Sequence, residues 1–230
     1  YKENEKATLN NKMTVQLNDK PYNHFVQWIR QQFPFRVQKI SVDAGFSCPN
    51  RDGTLSHGGC IFCDNRTFNP SYCQPSKPIA QQMEEGKAFF RRKYPDMKYL
   101  AYFQAYSNTY APLDVLKQRY EEALVVDDVV GLVIGTRPDC ISDELLDYLE
   151  ELNRRTFLIV EYGIESVNDD TLRHINRGHD FECSRRAIEL THDRGILTGG
   201  HIILGLPGED REENVRQASI VSQLKLDILK

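Results

Sequence analysis

The stretch VVGLVIGTRPDCISDELLDYLEELNRRTFLIVEY, residues 129–162, decides the fold class. It opens and closes on short strand-like runs, Val129 to Ile134 and Phe157 to Tyr162. Between them Ser142 to Arg154 reads as a helix. Ser142 can cap its first turn, Asp143 and Glu144 suit the positive end of the helix dipole, and Arg154 and Arg155 suit the negative end. Strand, helix and strand in that order predict parallel strands joined by a right-handed crossover.

Outward from this stretch the alternation continues. Further strand-like runs lie at Lys39 to Ala44, Lys98 to Gln104, Leu197 to Leu204 and, incompletely, from Leu226 onward. Helical patterns fill the gaps at Ile79 to Arg92 and at Leu113 to Leu124, where Leu113, Leu116, Tyr120 and Leu124 share a face. Asp180 caps a further helix, Phe181 to Arg194, and Gly195 is placed to end it. Ahead of them all, Tyr22, Phe25, Val26, Ile29 and Phe33 recur at helical spacing until Pro34. Such alternation is the pattern of an α/β fold, either a doubly wound sheet or a barrel, complete or partial. In both, the loops leaving the carboxyl ends of the strands form the active face.

A chain of 230 residues, 40% of them apolar, is sized for one α/β domain. The formal charge of -4 exerts no global pull toward nucleic acid or anionic lipid. No run of about 18 apolar residues appears, and the polar N-terminal stretch lacks the apolar centre of a secretory signal, so a cytoplasmic protein is expected, with no membrane partner. The chain starts at Tyr1. Residues 1–20 are expected to be a flexible leader or a vector-derived remnant, and 21–230 the core domain, which stops at the start of its sixth strand and leaves open a missing C-terminal part.

Six cysteines are too sparse for a disulfide scaffold, and four of them fall between Cys48 and Cys73. The segment Cys48-Pro-Asn-Arg-Asp-Gly-Thr-Leu-Ser-His-Gly-Gly-Cys60-Ile-Phe-Cys63 leaves the end of the first strand, on the expected active face. Two residues between Cys60 and Cys63 let both thiolates reach one centre, and Gly53, Gly58 and Gly59 let the backbone turn around it. Three thiolates on a [4Fe-4S] cubane leave one iron open. An open iron can chelate the amino and carboxylate groups of S-adenosylmethionine (SAM) for one-electron cleavage to a 5'-deoxyadenosyl radical, with Phe62 packing beside the adenine. The alternative is a zinc site of Cys48, Cys60, Cys63 and Cys73, in a non-catalytic binding module on an α/β scaffold. A third reading is an enzyme that uses the loop thiols without iron. Cys73, Cys140 and Cys183 otherwise read as small buried residues.

Cys-Pro-Asn-Arg-Asp-Gly followed by Gly-Gly-Cys-Ile-Phe-Cys resembles the radical SAM superfamily, in particular the branch shared by the Elongator catalytic subunit and bacterial proteins of YhcC/YtqA type; the likeness runs from about Tyr22 to Lys230. Most of that superfamily places three residues between its first two cysteines, whereas eleven separate Cys48 from Cys60, a longer gap that fits this branch. The resemblance implies a partial (βα)6 barrel and gives roles to further residues. Glu165 would bind the ribose or amino group of SAM, and Arg177 its carboxylate through a planar fork of donors. Gln104, Ser107 and Asn108 stand where the superfamily often carries Gly-Gly-Glu for the methionine amino group. Gly205, in Gly-Leu-Pro-Gly-Glu, resembles the turn near the adenine, while His201 lines the cavity or is a core histidine. Arg137, in Gly-Thr-Arg-Pro-Asp, faces the cavity or ends a strand. The implied partners are SAM, a reducing protein such as flavodoxin or ferredoxin, and a substrate that is a nucleoside, an RNA or another biosynthetic intermediate, RNA being suggested by the members of this branch that modify transfer RNA. Arg91-Arg92-Lys93, Arg154-Arg155 and Arg185-Arg186 are candidate phosphate contacts or solvated helix faces.

Overall fold

The computed structural model describes residues 22–64, 69–91 and 96–230, which leaves the expected leader outside the described residues. The chain divides into two compact units, residues 1–34 and 35–230. In the first, α1 (Phe25–Gln32) starts at His24, whose ring accepts the Val26 amide, and its C-cap is Phe33, immediately before Pro34.

The second unit carries a six-stranded sheet: β1 (Val37–Val42), β2 (Lys98–Phe103), β3 (Val129–Thr136), β4 (Phe157–Glu165), β5 (Leu197–Ile202) and β6 (Ile228–Leu229). Every pairing is parallel, and the spatial order equals the chain order. That order excludes the doubly wound sheet, in which the strand order reverses at a switch point. Right-handed crossovers that always step to the next neighbour put the helices on one side, as in a barrel. Here the barrel is partial: among the described residues the edge strands β1 and β6 do not pair.

The connecting helices are α2 (Ile79–Arg91), α3 (Leu113–Leu124), α4 (Asp143–Arg155), α5 (Asp169–His174), α6 (Phe181–His192) and α7 (Arg211–Val221). The anticipated caps form. Ser142 accepts the Leu145 amide, Asp180 accepts the Cys183 amide, and Gly195 follows α6 at φ +72°.

The period-two alternation of the strands sorts their residues into two populations. Ile40, Val42, Tyr99, Phe103, Leu132, Ile134, Leu158, Val160 and Tyr162 join Met83, Leu116, Tyr120, Leu146, Leu149 and Ile188 of the helices in one hydrophobic core. Lys39, Tyr102, Glu161, Gly163 and His201 alternate with them and occupy the opposite, inner face. Register then aligns that face, with Glu161 beside Gly199 and Gly163 beside His201.

Candidate iron-sulfur and SAM site

The eleven residues between Cys48 and Cys60 are folded back on themselves. The Arg51 amide donates to the Cys48 carbonyl at 2.8 Å, Leu55 to Pro49 at 2.8 Å and Gly59 to Asn50 at 2.8 Å, and Asp52 bridges His57 in antiparallel fashion. This small hairpin returns Cys60 toward Cys48. Two glycines are obligatory in it: at Gly53 (φ +96°) a Cβ would lie 2.6 Å from the His57 ring, and at Gly59 (φ +83°) 3.0 Å from the Arg51 side chain.

Cys48 and Cys60 are buried and Cys63 is half-buried; none of the three forms a disulfide. Burial pushes the Cys63 thiol up, Arg51 opposes that, and the Cys60 and Cys48 thiols are near enough to add to it. Among the described residues no three His, Cys, Asp or Glu side chains stand as a preformed metal-ligand group. Cys73 belongs elsewhere: it packs in the hydrophobic core, where burial raises its thiol to about 12.

The segment after α5 clamps this loop. Ile61 donates to the Ile175 carbonyl at 3.1 Å, Asn176 Nδ2 to the Gly59 carbonyl at 2.9 Å, and Asn50 Nδ2 to the Asn176 carbonyl. The Cys60 sulfur itself receives two donors, Asn50 Nδ2 at 3.5 Å and Arg177 Nη1 at 3.6 Å. Arg177 is buried; its Nη2 donates to the Gly163 carbonyl at 2.6 Å and lies 3.7 Å from Glu165 Oε1. Glu165 sits at φ +68°, where β4 bulges against β5. Burial raises the Glu165 carboxyl, against the pull of Arg177, His201 and Arg137. Gly163 makes this approach possible, because a Cβ there would lie 2.3 Å from Glu165 Oε1 and 2.7 Å from Arg177 Nη2. Thus Cys60, Arg177 and Glu165 form one connected group.

The other expected site residues are dispersed around it. Phe62 is exposed between the two cysteines of the close pair. Gln104 accepts the Ser41 hydroxyl at 3.3 Å. Ser107 is fully buried with its backbone N–H on the Ser47 carbonyl, and Asn108 donates through Nδ2 to the Gly135 carbonyl at 2.8 Å, bracing the ends of β2 and β3. Among the described residues Ser107 Oγ and Asn108 Oδ1 are buried without a partner at hydrogen-bond geometry. Gly205, at φ +81°, lies in the turn after β5. His201 turns instead to the inner face, where its Nε2 is 3.0 Å from Glu161 Oε2 while Lys39 Nζ holds Oε1 at 2.5 Å. Burial opposes the Glu161 charge, but His201 and Lys39 outweigh it and hold that carboxyl below the usual range.

Sequence reasoning passed over Asn50, Asp139, Glu161 and His179. Asn50 lay inside the cysteine motif, and its place two residues after Cys48 was the available signal. His179 is half-buried, and that desolvation and the Arg177 charge lower its pKa to about 4. Arg137 faces inward, held by Asp139 through Nε at 2.8 Å and Nη2 at 2.7 Å. Four of the candidate helix arginines already have acidic partners: Arg91 pairs with Asp128, Arg154 with Glu150, Arg155 with Glu121, and Arg185 with Glu182 and Glu189. Arg92 and Lys93 lie outside the described residues.

The family model "Radical SAM superfamily" matches residues 53–216. The chain belongs to the radical SAM superfamily. It is 41% identical over 221 residues, 96% of its length, to the uncharacterized protein YtqA of Bacillus subtilis, and 39% identical over 90% of its length to YhcC of Escherichia coli. The chain spans 69% and 66% of those relatives' own lengths. A tRNA uridine(34) acetyltransferase of Methanocaldococcus infernus is 30% identical over 44% of this chain and 20% of its own. In fold the chain is similar to the archaeal Elp3 of M. infernus, with a TM-score of 0.59 and 17% identity over 84% of this chain and 44% of that one. These findings support the Elongator-like branch. Membership of the superfamily brings its two cofactors, a [4Fe-4S] cluster and SAM. No helix among the described residues is long and apolar enough to cross a membrane.

Proposed function

We propose that this chain ligates its cluster through Cys48, Cys60 and Cys63, holds SAM between that loop and the Glu165–Arg177 pair, and acts as a radical-generating enzyme. The observation that carries this reading is the connected group just described: Arg177 touches the sulfur of one cysteine with one nitrogen and the bulged end of β4 with another. The donor set fits the cofactor, because three unpaired thiols on a glycine-turned hairpin match three-cysteine ligation and two buried N–H donors already point at sulfur. When bound, the cluster supplies the electron that cleaves SAM to methionine and a 5'-deoxyadenosyl radical.

The chain's own residues orient and shield. Asn50 and Asn176 fix the loop, Arg177 offers a carboxylate fork beside Cys60, and Glu165, buried and strained, is set to accept donors from the ribose or amino group. Phe62 and Gly205 would border the adenine, while Gln104, Ser107 and Asn108 offer polar groups at the β2 end, two of them with unpartnered atoms. His201 belongs to the substrate side of the site through its bond to Glu161. A tRNA or another RNA is the proposed substrate class, on the strength of the tRNA-acting relative, with flavodoxin or ferredoxin as reductant and the cytoplasm as location.

The test is metal content followed by turnover. Anaerobically reconstituted chain should bind about four irons, lose them on Cys60→Ala and keep them on Cys73→Ala; with dithionite and SAM it should release 5'-deoxyadenosine. A tightly held zinc that disappears with Cys73→Ala would overturn the proposal.

A further inference from the structure

Four buried polar atoms near the Gly178 turn have no hydrogen-bond partner among the described residues: Asn50 Oδ1, Arg137 Nη1, Arg177 Nε and His179 Nε2. Orphans gathered in one place are costly unless something fills the space between them. The turn is built for close approach. Gly178 sits at φ +81°, and a Cβ there would lie 3.1 Å from Asn50 Oδ1 and 3.4 Å from Arg137 Nη2.

Arg137 is the most informative member. Its side chain is 3% exposed, and Asp139 occupies Nε and Nη2 as a bidentate partner, leaving Nη1 as the one end without an acceptor. Cys48 lies within its electrostatic reach, and so does Glu165. Across the same turn Arg177 reaches Cys60. Two buried guanidinium groups therefore stand at this turn, Arg177 on Cys60 itself and Arg137 beside the Asn50 that donates to Cys60.

We propose that Arg137 is a positioning residue for the cluster: its buried guanidinium, packed at the Gly178 turn beside the Asn50 that donates to Cys60, joins Arg177 in a cationic seat that eases one-electron reduction. This rests on the three-cysteine reading above. Reduction adds a negative charge to a centre already surrounded by thiolates, and a fixed positive charge or an N–H donor at sulfur favours the more negative state. Asp139 holds the guanidinium in place and cancels part of its charge, so the pair sets an intermediate potential.

The experiment is a potentiometric titration followed by electron paramagnetic resonance, on anaerobically reconstituted chain. Arg137→Gln should disfavour reduction at least tenfold, about 59 mV more negative for one electron. Arg137→Lys, which keeps the charge, should recover most of that shift, and Asp139→Asn should move the potential the opposite way. Full iron with an unchanged potential in Arg137→Gln overturns the proposal, as does Arg137→Lys behaving like Arg137→Gln. If Arg137→Gln takes up no iron, Asp139→Asn decides: a raised potential supports the proposal and an unchanged one overturns it. A wild-type chain that binds no iron overturns both this proposal and the reading beneath it, a distinguishable result.

Discussion

Replacing Glu161 by glutamine tests whether the inner face of the sheet depends on its charged centre. The Glu161 side chain is 1% exposed and lies between Lys39 and His201, whose side chains are 20% and 28% exposed. Removing one partner of a fully buried pair costs roughly 3–5 kcal/mol. Lys39 and His201 keep some contact with water, so we expect the lower figure of about 2–3 kcal/mol after screening. For a chain of this size that lowers Tm by roughly 4–12 °C. The sign with pH follows from the depressed carboxyl. An unfolded glutamate takes up its proton near pH 4.3 by its ordinary value, roughly, whereas folded Glu161 resists it to lower pH. The stabilisation is thus complete at neutral pH and is lost as pH falls below the ordinary glutamate range. A glutamine amide at this position has no such dependence, so the gap between wild type and Glu161→Gln should narrow on acidification. Urea denaturation of the iron-free chain between neutral pH and pH 4 measures it. A gap under about 1 kcal/mol at neutral pH, or one that widens with acid, would refute the reasoning.

Gly163→Ala places a methyl group 2.3 Å from Glu165 Oε1 and 2.7 Å from Arg177 Nη2. It should weaken SAM binding at least about tenfold, a cost of about 1.4 kcal/mol, while iron loading persists; calorimetric titration with SAM and iron assay check the two halves. Cys73, raised to about 12, should be ionised to about one part in ten thousand at pH 8 and resist thiol reagents until the chain unfolds. Peptide mapping after brief labelling of iron-free protein should find Cys63 modified first.

The strand and helix alternation was legible because each strand is short and the crossover helices α2, α3, α4 and α6 each carry an apolar face. Ser142 and Asp180 signalled helix starts by side-chain chemistry alone, and both cap as expected. Two helices escaped notice. α5 is a six-residue turn, and α7 buries only Gln217 and Val221, so it offers no apolar stripe. Its available signal was Asp210 ahead of Glu213, a cap rather than a periodicity. Strand order could not be read, because a doubly wound sheet and a barrel share the same alternation; the in-sequence order of the sheet decided between them. At the site the cysteines were legible from spacing. The bonds of Arg177 to Cys60 and of Asn50 to Asn176 were not, since they join residues 117 and 126 positions apart through loops whose path no local pattern specifies. His201 illustrates the same limit: strand position was readable, but its turn toward Glu161 depended on the register of β5 against β4.

The hairpin between Cys48 and Cys60 has a bearing on how such chains diversify. Its Thr54–Leu55 tip is exposed but tied back, since the Leu55 amide donates to the Pro49 carbonyl, Gly53 to Ser56, and the Thr54 hydroxyl shares a 2.8 Å hydrogen bond with Tyr110. A change of length there has to keep those ties if Cys60 is still to return toward Cys48. The folded hairpin, rather than the count of residues in it, sets the span between Cys48 and Cys60, so a search keyed to three intervening residues would pass over this chain.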